Sequence, residues 1–247
     1  MKRKWIRLTT LFLSFCCISG MFSIPYLRQF RHKTTPSATA TPKDYTIILD
    51  AGHGGEDGGA SSASGALEKE INLAITMSLR DLLVASGARV ILTRSEDTLL
   101  YDKTLDYHGK KKALDLAARR KIAEETPNAI FISIHMNAFP QTKYHGLQVW
   151  YSKNNPASLL LAESIQQLAS EQLQPENTRR VKASTSSIYL LHHLTCPAIL
   201  VECGFLSNPE EASLLVTEEY QEKLAFLLFL AISNSMTKIS SEIATSS

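Results

Sequence analysis

One stretch constrains the fold more than any other: Ile47-Ile48-Leu49-Asp50-Ala51-Gly52-His53-Gly54-Gly55. Branched apolar residues run into an acid, and a histidine follows among glycines. The apolar run predicts a buried strand, and the glycines predict a tight turn at its carboxyl end. In open α/β sheets that edge is where ligands bind, because the loops diverge there and leave a crevice. A histidine on such a turn presents its ring to the crevice with little bulk around it. A glycine-rich turn after a strand also suits a phosphate, but GxxxxGK[ST] and GxGxxG are both absent, and Glu56 and Asp57 would repel an anion.

The chain beyond that turn continues an alternation of strands and helices. Ile71, Ala74, Ile75, Ser78, Leu79, Leu82 and Leu83 recur at helical spacing, and Gly87 stands at the stop position. Arg89–Thr93 reads as a strand, which makes the opening a βαβ unit with a parallel pair and a right-handed crossover. Asp97–Lys110 reads as a polar, mobile loop, Lys111–Glu125 as a helix and Ala129–His135 as a third buried strand. Gly146–Tyr151 is expected to be a strand, Pro156–Leu173 a helix, Gln174–Ser187 irregular and Pro197–Glu202 a strand. A helical stretch from about Pro209 to Met236 precedes a serine-rich, frayed tail, 237–247.

Composition matters through where the charges sit. The 247 residues carry a net charge of +2, yet residues 1–43 hold eight basic side chains and no acid. That leaves 18 of the 26 basic side chains against all 24 acidic ones in 44–247, a net of −6. An acidic body argues against nucleic acid as a partner. The basic cluster Lys2, Arg3, Lys4 and Arg7 precedes a mostly apolar run, Leu8 to Ile24, closed by Pro25. Residues 1–26 therefore read as a signal peptide or membrane anchor that places the body outside the cytoplasm, and 27–43 as a polar linker. Residues 44–236 form one domain, and 44% hydrophobic content supplies its core. Cys16 and Cys17 lie in the leader, where Phe15 stands against a lipoprotein signal. Cys196 and Cys203 flank a strand whose seven-residue span of ~23 Å is far beyond disulfide reach, so both are expected to be free.

His53 and His135 each follow an apolar run, and both emerge at one rim of the sheet if their strands are parallel. Two imidazoles converging in a crevice suit a transition metal, zinc above others once a carboxylate joins them; the plainer alternative is two unrelated histidines. Glu56, Asp57, Glu68 and Glu70 are all candidates for that carboxylate, and the pattern does not choose among them. Glu202 ends the apolar run Ala198–Val201, and a carboxylate at the end of a buried strand has a partner or a task. A salt bridge closing the core is its alternative reading. His192 and His193, on a stretch expected to be extended, point opposite ways, and neither is expected to be a ligand.

Four blocks taken in order, Ile48–Gly55 "ILDAGHGG", Glu68–Leu73 "EKEINL", Ser133–Ala138 "SIHMNA" and Val201–Pro209 "VECGFLSNP", resemble the zinc-dependent N-acetylmuramoyl-L-alanine amidases. Within that family the chain is most similar to the germination-specific amidases of bacterial spores. The resemblance implies an α/β fold, a mixed, mainly parallel sheet with helices on both faces in one catalytic domain. It implies one Zn2+ per chain held by His53, Glu68 and His135, with Glu202 as the catalytic carboxylate and Asn137 and Arg119 beside the site. Ala51 departs from the proline usual before the Gly-His pair, which removes no chemical group. The implied reaction is hydrolysis of the amide between N-acetylmuramic acid and L-alanine in peptidoglycan, here of the spore cortex, as a step toward muramic-δ-lactam with a deacetylase acting next. A lipoprotein activator is a further implied partner, and the space between the forespore membranes the implied location. A non-catalytic peptidoglycan-binding module of the same fold and a zinc carboxypeptidase are the alternatives.

Overall fold

The computed structural model describes residues 45–102, 104 and 108–246, so the expected leader, 1–26, and linker, 27–43, lie outside the described residues. The described chain runs β1 (Thr46–Ala51), α1 (Glu68–Ala85), β2 (Arg89–Leu92), α2 (Lys111–Glu124), β3 (Ala129–Asn137), β4 (Gln148–Tyr151), α3 (Ala157–Gln172), β5 (Lys182–Ala183), α4 (Tyr189–His193), β6 (Ala198–Phe205), α5 (Pro209–Leu215) and α6 (Glu218–Ser246). The strands form one six-stranded sheet in the order β2-β1-β3-β6-β4-β5. β1 pairs in parallel with β2 and β3, and β3 with β6. β4 runs antiparallel to β6 and parallel to β5. The sheet is therefore mixed and mainly parallel, as the resemblance implies.

Side chains alternate across a strand, and here both faces are covered, which is why β1, β3 and β6 read as nearly continuous apolar runs. Ile47, Leu49, Ile130, Ile132, Ile199 and Val201 enter the main core with residues of α1, α3 and α6. Ile48, Phe131 and Ala198 point the other way, onto Ala123 of α2 and Leu190 and Leu191 of α4. Ile132 is fully buried, and its truncation to alanine would cost about 2–5 kcal/mol.

The helix ends follow their local chemistry. α1 stops at Gly87, which takes φ +89°; its N–H donates to Val84 O, and Ala88 N–H donates to Leu83 O. A left-handed residue in that place suits glycine, which has no Cβ to clash. α5 starts at Asn208, whose Oδ1 accepts the Glu211 N–H at 2.9 Å, with Pro209 in the first turn.

Four features differ from the sequence expectation. The 97–110 connection is anchored at its start, where Asp97 accepts from Gly55 N–H at 2.7 Å and from Lys69 Nζ at 2.6 Å, and where Leu99 is buried. The irregular stretch 174–187 contains β5, only two residues long. His192 and His193 sit on a helical turn, not on extended chain, and both are exposed. The last helix does not end at Met236 but runs to Ser246, with Ile239 buried.

Candidate metal centre

The three adjacent strands β1, β3 and β6 deliver their carboxyl ends to one edge of the sheet. The chain after β1 stays locked to β3, because Gly52 N–H donates to Ile134 O at 3.0 Å. A Cβ at Gly52 would lie 2.3 Å from the His135 ring, so the backbone approaches the histidine as closely as only glycine permits. His53 itself takes φ +62°, a left-handed conformation that costs a residue with a Cβ and persists only where the surroundings enforce it.

Glu68, the first residue of α1, bridges the two histidines. Its Oε1 lies 2.9 Å from His135 Nδ1 and 3.3 Å from His53 Nε2. The same oxygen accepts Met136 N–H at 3.0 Å, and Oε2 accepts Ala60 N–H at 2.8 Å. Asn72, one turn further along α1, donates to Oε1 at 3.3 Å and to Gly52 O at 3.1 Å. One donor atom from each of His53, Glu68 and His135 falls within 4.8 Å of the others, and the two rings meet edge to face with centroids 4.9 Å apart. The other candidate acids are placed differently. Glu70 is exposed, Glu56 pairs with Lys111 at 2.5 Å, and Asp57 Oδ2 stands 2.9 Å from His53 Nδ1 on the far side of that ring. That last contact is short in distance but not aligned as a hydrogen bond, since His53 Nδ1 has no such partner among the described residues.

The electrostatics match this arrangement. Burial works against an ionised Glu68, but the hydrogen bonds and charge of His135 and His53 outweigh it and hold the carboxyl well below the usual range. Glu202 stands opposite His135 in the β3–β6 register. Burial pushes its carboxyl up to about 7, against the pull of His135 and His53. Its Oε2 is buried and has no hydrogen-bond partner among the described residues.

Arg119 is buried behind the turn. Its Nε donates to Asp115 Oδ2 at 2.8 Å, Nη1 to Asp50 Oδ1 at 2.6 Å and Ala51 O at 2.8 Å, and Nη2 to His53 O at 2.7 Å. Asp50, fully buried, also accepts Thr93 Oγ1 at 2.7 Å and Ser133 Oγ at 2.5 Å. Burial opposes its charge, yet Arg119 and the two hydroxyls hold it below its ordinary value. A second arginine, Arg94, donates from Nε to Ala51 O at 2.8 Å and from Nη2 to Gly52 O at 3.0 Å. Two guanidinium groups thus bind three successive carbonyls of the turn that carries His53. The sequence pattern does not mark Arg94, Asp50 or Asn72 as site residues; the one signal it holds is an acid, Asp50, terminating an apolar run.

A cleft of about 270 Å³ opens over these groups. Gly52, His53, His135 and Glu202 line it, with Lys112 and Leu116 of α2 on one wall and Ser187–Leu191 on the other. Asn137 ends β3 beside it without lining it. A larger hollow, about 760 Å³, lies at the opposite end of the sheet among Asn128, Thr195 and Pro197, away from every group named here.

The model of the N-acetylmuramoyl-L-alanine amidase family matches residues 47–234. The chain belongs to that family. This amidase is 36% identical over 232 residues to the germination-specific N-acetylmuramoyl-L-alanine amidase of Bacillus subtilis, covering 94% of each chain. It is also 34% identical over 182 residues to LytC of the same organism, covering 73% of this chain and 33% of that protein. Among solved structures it resembles the CwlD amidase of Clostridioides difficile, determined in complex with the GerS lipoprotein. That match has 42% identity and a TM-score of 0.74, and it covers 78% of this chain and 98% of the other. The catalytic domain of CwlV from Bacillus (Paenibacillus) polymyxa is similar at 28% identity and a TM-score of 0.63, covering 77% of this chain and 97% of that one. The amidase is accordingly an enzyme, and in its fold the four sequence blocks that carry the resemblance converge on one sheet edge.

Proposed function

We propose that the amidase is zinc-dependent, with His53, Glu68 and His135 as ligands and Glu202 as the proton carrier. The observation that carries this reading is the convergence of two imidazoles and a carboxylate within 4.8 Å, beside a buried carboxylate oxygen with no partner among the described residues. The donor set fits the ion: two histidines and a glutamate are a known catalytic zinc set, which leaves one position open. When bound, zinc supplies Lewis acidity toward the scissile carbonyl and toward water. The chain's own residues do the rest. Glu202 takes a proton from the attacking water and delivers it to the leaving alanine nitrogen, its strand holding the carboxylate against the site. Arg119 and Arg94 act through the backbone of the His53 turn, while Asn137 stands beside the centre.

The bond cleaved joins N-acetylmuramic acid to L-alanine, and peptidoglycan is the substrate. Similarity to a germination-specific relative supports spore-cortex peptidoglycan, cleaved as a step toward muramic-δ-lactam, with a deacetylase acting on the exposed muramic acid. The solved relative in complex with a lipoprotein supports a lipoprotein partner here. Residues 1–26, read as signal or anchor, fit a site of action outside the cytoplasm, between the forespore membranes.

The test combines zinc stoichiometry, melting temperature and mass spectrometry of muropeptides on one preparation. Glu202→Gln should lower turnover ~10²–10⁴-fold with zinc content and melting temperature little changed. Near-normal cleavage by a folded, zinc-loaded Glu202→Gln protein removes Glu202 from the mechanism. Glu68→Ala should release zinc while Glu70→Ala retains it, and the reverse outcome would overturn the ligand assignment.

A further inference from the structure

On the β4 side of Glu202 the connection 173–181 carries the guanidinium of Arg179, which has no ion pair among the described residues and lines a hollow of its own with Tyr144, His145 and Glu176. Gln148 stands opposite Glu202 in the antiparallel β4–β6 pair, and residues directly opposite share a face, with Cβ atoms about 5 Å apart. Gln148 is buried and holds two arginine residues in place: its Nε2 donates to Arg180 O, and its Oε1 accepts Arg179 Nη1 at 3.2 Å. Arg179 is fixed from three further directions. Its Nε donates to His145 O at 2.8 Å, its backbone N–H donates to Asn177 Oδ1 at 3.0 Å, and its guanidinium carbon lies 4.5 Å from the centre of the Phe205 ring. Phe205 reaches this face through the register shift in the β3–β6 pair. His135 faces Glu202 but Asn137 faces Phe205, so three steps of β6 match two of β3.

Among the described residues no carboxylate lies within 4.0 Å of Arg179, and its Nη2 makes no hydrogen bond. Glu211, the acid that acts on it from a distance, is already occupied by the N–H groups of Gly146 and Phe205. The lysines on the His53 side differ: Lys69, Lys111 and Lys112 each have an acid, Asp97, Glu56 and Asp57 respectively. A guanidinium that is half buried, immobilised and left with donors to spare suits a planar carboxylate from outside the protein.

Resting on the assignment of Glu202 as the reacting group, we propose that Arg179 binds a carboxylate of the stem peptide, one residue beyond the L-alanine released. Stem peptides carry glutamate there, with its α-carboxylate either free or amidated. The peptide then leaves the cleft toward β4 and β5, and the uncharged glycan lies along the α2 flank.

Two synthetic muramoyl dipeptides, L-Ala-D-isoglutamate and L-Ala-D-isoglutamine, differ only at that group. With the full chain and added zinc, kcat/KM for the acid should exceed that for the amide by about 10–100-fold, the range of one charge-assisted hydrogen bond, mostly through KM. Arg179→Gln should bring the two substrates level by lowering only the acid, and Arg179→Lys should restore part of the preference. Calorimetric titration of the zinc-free native chain with both compounds reads the same preference without turnover, whether or not Glu202 is the reacting group. A Glu202→Gln protein that cleaves both compounds normally refutes the Glu202 assignment, whereas equal binding of acid and amide by the native chain refutes the Arg179 subsite. An Arg179→Gln protein that loses both substrates alike also refutes it, since a merely structural arginine gives that result.

Discussion

Replacing Arg119 by lysine tests whether the turn behind His53 is held from inside the protein. The arginine makes four contacts from three nitrogens, to Asp50, Asp115, Ala51 O and His53 O, at 2.6–2.8 Å. A lysine ammonium is a single point, able to keep the pair with Asp50 but not also to reach Asp115 and His53 O. The loss is one charge-assisted hydrogen bond, about 1.5–3 kcal/mol, and one buried carbonyl left unsatisfied, about 1–3 kcal/mol. Thr93 and Ser133 still satisfy Asp50, so nothing further is added and the expected total is roughly 2.5–6 kcal/mol, against about 5–15 kcal/mol for a whole domain. Because the severed contact ends on the His53 backbone, zinc affinity should fall as well, by the ~10–100-fold typical of groups that orient ligands. Urea unfolding of the zinc-free protein gives the first quantity, and chelator competition gives the second. A variant within 0.5 kcal/mol of the native chain, or one that is destabilised but binds zinc equally well, would refute the argument; the 0.5 kcal/mol line is the usual scatter of surface substitutions.

Chelation of the zinc should lower the melting temperature by about 5–10 °C, since a ligand at a hundredfold excess over its Kd contributes about 2.7 kcal/mol; an unchanged melting curve would argue against a folded-state metal site. Gly52→Ala should weaken zinc binding more than tenfold and destabilise by about 1–3 kcal/mol, because its Cβ would meet the His135 ring at 2.3 Å, and full zinc occupancy would contradict the contact. Glu211 has its carboxyl raised by burial, against the pull of the Phe205 and Gly146 N–H groups. A raised folded pKa gives stability that is present below the unfolded value, ~4.3, and is lost as pH rises through the folded one. Glu211→Gln should therefore gain on the native chain as pH rises from 4 to 7 in paired urea titrations, and a constant difference would show that the group is not shifted.

The sequence carried the architecture because its strongest signals are local. Ile47–Leu49 and Ile130–Ile134 are buried on both faces, so their apolar runs are long enough to read, and Gly87 marks a helix end by its own conformational need. The choice of Glu68 over Glu70 was not legible from pattern. The two stand two residues apart at the start of one helix, and only the packing of α1 on the sheet decides which carboxylate meets the histidines. Arg119 was harder to read. It sits in Lys111–Glu124 among other basic residues, and the stripe that α2 buries contains Asp115 and Arg119 as well as Ala123, so apolar periodicity is silent where the helix matters most. α4 and β5 are too short to establish a period. Arg179 acquires meaning only from a register shift two strands away.

The parallel pairing of β1 with β3 sets Ala51 beside Ile134 and puts His135 on the same face as Asp50. Side chains reverse face at every step of a strand, so a slip of one residue between these two strands would carry the His135 ring into the apolar core behind the sheet. A chain misaligned in this way would keep its hydrogen-bond ladder and much of its apolar burial, yet lack one of the three donors proposed for the metal. Metal uptake thus reports strand alignment, and zinc titration during refolding would separate correctly aligned molecules from compact misaligned ones that circular dichroism counts together.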